Sequence, residues 1–284
     1  MNAQEWIAGE IEGIMDQWIR EGRSSDYWRR PVQVGIASAQ DPLFDQLPRV
    51  AAPDHLLPRD LLPDARSVVV FFLPFQKDVV HSNRADAAGR ADAAGRADAA
   101  GFASRAWAQA YVATNSLIGR ICDHLQSRWA EEGHRSAVTP ATHNFDQQRL
   151  LSRWSHKHLA YIAGLGTFGL HHQIITPAGC CGRLGSLVTS CALAPTPRPT
   201  GEFCLAKAGK ECAQCISRCV YGALTRDGFD RHRCYARLLE NDRHYADLPL
   251  VDVCGKCVAH VPCSYTAPAS KASHSLGARN TWRK

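Results

Sequence analysis

The sequence predicts an α/β (α+β) domain followed by a smaller cysteine-rich module. Three observations predict it. In residues 1–193, apolar helical patterns alternate with short β-branched runs. A proline-rich stretch, APTPRPTGEF at 194–203, then interrupts the pattern. Beyond it, within 194–284, eight of the chain's 12 cysteines fall between Cys204 and Cys263, in text short of long periodic elements.

The elements follow in order. Trp6, Ile7, Ile11, Ile14, Met15, Trp18 and Ile19 recur at helical spacing, so residues 4–22 predict an amphipathic helix ended by Gly22. Val32–Ala37 is a short strand. Ser67–Leu73 (SVVVFFL) is a continuous apolar run stopped by Pro74, the pattern of a strand buried on both faces. RADAAG then repeats three times from Arg84 to Gly101. Three six-residue copies are too short for a solenoid, and a glycine at every sixth residue opposes a stable helix, so this reads as an expanded surface loop or a frayed alanine-rich lead into the next helix. From Ala103 to Ala130, Trp107, Tyr111, Ile118, Leu125 and Trp129 mark a long amphipathic helix closed by Gly133. A strand over Ser136–Thr139 and a helix over Gln147–Ile162 follow. The glycine-rich AGLGTFGL leads to a strand at Gln173–Thr176, and AGCCGRLG leads to another at Ser186–Ser190.

Composition narrows the function classes. The chain has 284 residues, 45% hydrophobic and 21% charged, enough for a packed core. No eighteen-residue apolar run exists and the N-terminus has no basic-then-apolar pattern, so no membrane span is expected and a cytoplasmic location is. Thiols there stay reduced, which points the cysteines to metal ligation or catalysis rather than disulfides. The net charge of +6 is compatible with an anionic partner and equally with a solvated basic surface.

The eight cysteines form two half-motifs, Cys204-x7-Cys212-x2-Cys215-x3-Cys219 and Cys234-x19-Cys254-x2-Cys257-x5-Cys263. Bacterial two-cluster ferredoxins run C-x2-C-x2-C-x3-C twice, the fourth cysteine of each run serving the other run's cluster. Each half here keeps the C-x2-C core and a trailing cysteine, with the first cysteine moved upstream. Each cubane iron takes one thiolate, and a C-x2-C turn delivers two from one short loop. The crossing rule assigns Cys204, Cys212, Cys215 and Cys263 to one [4Fe–4S] cluster, and Cys219, Cys234, Cys254 and Cys257 to a second. The alternative is one zinc ribbon on Cys212, Cys215, Cys254 and Cys257, which leaves four cysteines without a role. Val220 and Ser264 stand where a proline normally follows the fourth cysteine. Cys122 and Cys191 read as packing residues. The vicinal Cys180 and Cys181, in a glycine-rich turn, read as structural, with a redox-active pair or contact with a cofactor as the functional alternatives.

The order LLPDARSVVVFFLPF, AGLGTFG, GCCGRLGSLVTS and then the cysteine halves resembles the epoxyqueuosine reductase family over residues 30–265. The resemblance implies a cobalamin-binding α/β domain at 1–193, a ferredoxin-like double-cluster module at 194–284, and electron flow from an external flavodoxin- or ferredoxin-type donor. It implies reduction of a modified base in tRNA, with Gly164, Gly166, Gly169 and Ser186 lining the cofactor side. The family's acid-Ser-Ala-Pro aspartate is missing and Asp146 is the nearest candidate for the proton donor. Leu170 replaces the lysine of the AGLG-x-x-GK segment, and His156 and His158 stand where an acid is usual. His143, His171 and His172 are candidate donors to a phosphate or corrin side chain, with surface histidines the plainer reading. These departures describe a divergent member.

Three functions fit this text. The first is a cluster-fed oxidoreductase using cobalamin. The second is a ferredoxin-type electron-transfer protein serving a partner enzyme. The third is a zinc-bound nucleic-acid binder, for which no aromatic–basic recognition motif is found.

Overall fold

The computed structural model describes residues 2–84, 101–140 and 144–269. Most of the RADAAG repeat and His143 lie outside the described residues. The helices are α1 (Ala3–Arg20), α2 (Leu47–Val50), α3 (Pro58–Leu61), α4 (Lys77–Ser82), α5 (Arg105–Glu131), α6 (His156–Ile162), α7 (Gln214–Ser217) and α8 (Arg231–His244). The strands are β1 (Gln33–Ser38), β2 (Ser67–Pro74), β3 (Ser136–Val138), β4 (Phe145–Asp146), β5 (Leu151–Ser152), β6 (Thr167–Phe168), β7 (Ile174–Ile175) and β8 (Gly182–Thr189).

A four-stranded sheet in the order β1-β2-β8-β3 organises the molecule. Every pair is antiparallel, with Val34 opposite Phe71, Val70 opposite Ser186, and Ala137 opposite Val188. The fold is therefore α+β: the alternation of helices and strands in the sequence carries no information on strand direction. β2 is buried at all eight positions, as its unbroken apolar run predicts. Its Val69, Phe71 and Leu73 pack with α1 and α5, while Val68 and Val70 pack with α6. Helices on both faces of an antiparallel sheet make both halves of the pleat apolar.

The long helices begin where local chemistry says they should. Asn2 caps α1 by accepting from the Glu5 N–H at 2.8 Å, and Glu5 returns the bond to the Asn2 N–H at 3.0 Å. Gly22 ends that helix region at φ 68°. Ser104 caps α5, accepting from the Trp107 N–H at 3.2 Å.

The helix expected over Gln147–Ile162 is shorter in the structure. Its first half is a hairpin, β4 pairing with β5, and only His156–Ile162 is helical. Asp146 accepts from the N–H groups of Gln148 and Arg149, and Leu150 turns at φ 54°. This turn satisfies the backbone locally and competes with the helix. The strand expected at Gln173–Thr176 is β7, pairing with β6. The Ser186–Ser190 strand starts earlier, at Gly182. Among the described residues of the cysteine-rich part the one sizeable helix is α8, capped by Asp230.

The apolar cluster on the α1/α5 side continues without a break into the cysteine-rich part, through Cys181, Leu224, Val258 and Val261. The two parts of the chain share one core. No helix among the described residues is long and apolar enough to cross a membrane.

Candidate metal centre and adjoining cavity

Cys204, Cys212, Cys215 and Cys263 line one cavity of about 310 Å³, together with Leu170, His171 and Pro262. Cys204 and Cys212 bound the first loop, which turns at Gly209 (φ 80°), and Cys215 opens α7. Cys263 arrives from the far end of the sequence. It is held there by backbone pairing, Cys180 N–H to Cys263 O at 2.9 Å and Cys181 N–H to Ser264 O at 3.3 Å.

Cys219, Cys234, Cys254 and Cys257 line a second, larger cavity of about 1010 Å³. Cys219 follows α7, Cys234 sits in the first turn of α8, and Cys254 and Cys257 flank a turn at Gly255. That turn requires glycine: φ is +71°, and a Cβ there would lie 2.3 Å from the Trp107 ring. Asn83, fully buried, ties the turn to the α5 N-terminus. Its side chain donates to Cys254 O at 2.9 Å and accepts from the Ser104 N–H at 3.0 Å.

The zinc-ribbon set is thus divided, Cys212 and Cys215 around one cavity and Cys254 and Cys257 around the other. A single zinc needs all four sulfurs within about 2.3 Å of one point.

Burial dominates the electrostatics of both quartets. It pushes the Cys215 and Cys234 thiols up to about 12, with neighbouring sulfurs adding to the effect, and raises Cys257 in the same way. Cys263 departs from this pattern. Hydrogen bonding by Cys180 draws it down to about 5 against the cost of burial, and His171 acts in the same direction. Its Sγ lies 3.9 Å from Cys180 Sγ and 3.4 Å from His171 Nε2.

A third cavity, of about 740 Å³, adjoins the second and shares Gln173, Cys180, Gly182 and Arg183 with it. Asn144, Trp154, His156 and Lys157 line it. Burial lowers His156 to about 4 and Lys157 to about 8. Among the described residues, three buried donors in these walls lack partners: Trp107 Nε1, Arg183 Nε and Arg237 Nη2.

The sequence-derived site residues fall unevenly. Ser186 is buried behind the third cavity, where its Oγ meets Trp154 Nε1 at 3.0 Å and His156 Nδ1 at 2.9 Å. Gly164, Gly166 and Gly169 use their smallness against the chain itself. A Cβ would lie 2.8 Å from Pro197 O at Gly164, 1.9 Å from Ile175 O at Gly166, and 2.5 Å from the His171 ring at Gly169. The Asp146 carboxylate is held low by the Arg149 N–H and ion-paired with Arg149 at 3.3 Å. Cys122 is a core residue, its thiol pushed to about 12 by burial. The sequence singled out Cys180 and His171 without placing them beside Cys263, because that contact joins segments more than eighty residues apart. Lys157 carried no motif; Arg183 lay inside GCCGRLGSLVTS and Trp107 inside the long helical pattern, neither of them marked as a site residue.

No family model matches this sequence, and no curated protein matches it. Solved structures do match in fold. A selenomethionine-labelled epoxyqueuosine reductase gives a TM-score of 0.54 at 18% identity, over 93% of this chain and 68% of that one. The enzyme from Bacillus subtilis, with its catalytic loop swung out of the active site, gives 0.54 at 19% over the same shares. An epoxyqueuosine reductase with a tRNA-Tyr epoxyqueuosine-modified stem loop gives 0.51 at 20%, over 82% of this chain and 58% of that one. The resemblance read from the motifs therefore holds at the level of the fold.

Proposed function

Proceeding from that fold, we propose that the chain is an iron–sulfur oxidoreductase. It carries two [4Fe–4S] clusters and delivers electrons to a cobalamin-assisted reduction in the adjoining cavity. The observation that carries the reading is the sorting of eight cysteines into two quartets around separate cavities, the larger opening toward a third. Cys204, Cys212, Cys215 and Cys263 hold one cluster; Cys219, Cys234, Cys254 and Cys257 hold the other.

The residues present fit these groups. Thiolates are soft ligands for iron, and the buried thiols favour any partner that compensates their charge. The unpartnered Trp107 N–H in the second quartet's wall fits a sulfide or thiolate acceptor. The unpartnered Arg183 Nε, with Asn144 and Gln173, fits the amide- and phosphate-bearing rim of a corrin. A bound corrin would supply the metal-centred reduction; the chain's residues bind, orient and exclude water. The proton donor is proposed to be Lys157, which lines the third cavity and whose lowered pKa suits a general acid near neutral pH; Asp146, carried over with the resemblance, would first have to leave its ion pair with Arg149. A base in tRNA is the substrate class to test first, because one matched reductase was solved with a modified stem loop.

Anaerobic purification tests the reading. Metal analysis should find about eight irons with matching acid-labile sulfide per chain. Added cobalamin should give a saturable change in the corrin absorption, weakened by Arg183→Ala. Iron-free, zinc-loaded protein would overturn the cluster assignment. Full iron with no corrin binding would leave an electron-transfer protein for a partner enzyme.

A further inference from the structure

His171, Cys180 and Cys263 bring three ligand-type atoms within 4.8 Å of one another, all buried. A separate metal site is the obvious reading, and the hydrogen-bond inventory argues against it. His171 Nδ1 accepts from the Gln173 N–H at 3.1 Å. A neutral imidazole has one protonated nitrogen, so the ring proton sits on Nε2. Nε2 therefore donates and cannot ligate, and the atom it faces is Cys263 Sγ at 3.4 Å.

The Cys180 proton has its acceptor limited in the same way. Val258 O lies 3.9 Å from Cys180 Sγ, as does Cys263 Sγ. A carbonyl oxygen has two lone pairs. Those of Val258 are taken by the Ser264 hydroxyl at 2.7 Å and the Cys181 thiol at 3.1 Å. Cys263 Sγ, 3.9 Å away, remains as an acceptor for Cys180 alongside the neighbouring Cys181.

We propose that His171 and Cys180 are positioning residues that donate two side-chain hydrogen bonds to the Cys263 sulfur and thereby hold the first quartet's cluster at a raised reduction potential. This rests on the cluster reading above. Hydrogen bonds to cluster sulfurs withdraw charge from the ligand, so the reduced, more negative cluster gains more than the oxidised one. Cys180 also lines both larger cavities, so the tuned cluster has its modulating thiol on the side where a ligand would sit.

Potentiometric titration of the purified holoprotein, followed by electron paramagnetic resonance with iron and sulfide content measured on each sample, tests this. His171→Phe keeps a ring over Gly169 without the N–H, and Cys180→Ala removes the S–H. Each should shift one cluster's potential downward, leave the other unchanged, and keep the iron content of the parent protein. Cys180→Ser, which keeps a hydroxyl donor, should recover part of the shift. Unchanged potentials at full iron content overturn the proposal and leave the cluster reading intact. A parent protein without iron overturns both.

Discussion

At the scale of single residues, histidines were legible as unusual but not as buried. In the sequence His156 and His158 stand out only because an acid is usual there; their environment depends on β8 and the turn before α6, which no local pattern encodes. Burial lowers His156 to about 4 and His158 to about 3. An unfolded chain protonates such histidines near 6.5. Between that value and the folded one the unfolded state binds the extra proton, so stability is fully present above pH 6.5 and is lost as pH falls. Unfolding free energy should drop by about 1 to 2 kcal/mol for His156 alone between pH 7 and pH 5. His156→Gln should flatten that slope in denaturant titrations at the two pH values. Ser186 was legible for another reason: it sits in a glycine-rich strand entry, and the structure uses it to orient Trp154 and His156.

At the scale of elements, α1, α5 and β2 were legible because each carries a full period of apolar residues and a local start or stop. The region 144–162 was not, since a hairpin held by Asp146 hides inside text of helical composition. Tertiary anchors were equally invisible. Asn83 is an unremarkable residue in the sequence, yet it is fully buried and bridges the start of α5 to the second quartet's turn. Asn83→Ala would leave the Ser104 N–H and the Cys254 carbonyl without partners, at about 2 to 3 kcal/mol. A lower thermal midpoint together with loss of iron signal from one cluster, the other retained, is the expected outcome.

At the scale of the whole molecule, the two sets of four cysteines expected from the spacing line two separate cavities. The spacing did not foretell the shared core that runs from the sheet into the cysteine-rich part. The assignment has a direct test. Cys263→Ala should deplete the same cluster as Cys212→Ala, although Cys263 lies in the second half-motif. Cys219→Ala should deplete the same one as Cys257→Ala. Resonance spectra of the four proteins separate the two pairs; a pairing by sequence neighbourhood instead would refute the crossed arrangement.

The distribution of Cys263 and Cys219 between the quartets also bears on biosynthesis. A ribosome that has released the chain only through Cys257 has delivered every sulfur of the second quartet but three of the first. The earlier C-x2-C turn is therefore the later site to be completed. On the proposed crossed arrangement, iron loading of that site would wait until Cys263 has left the exit tunnel, and a nascent chain stalled before it would present three thiols without their fourth.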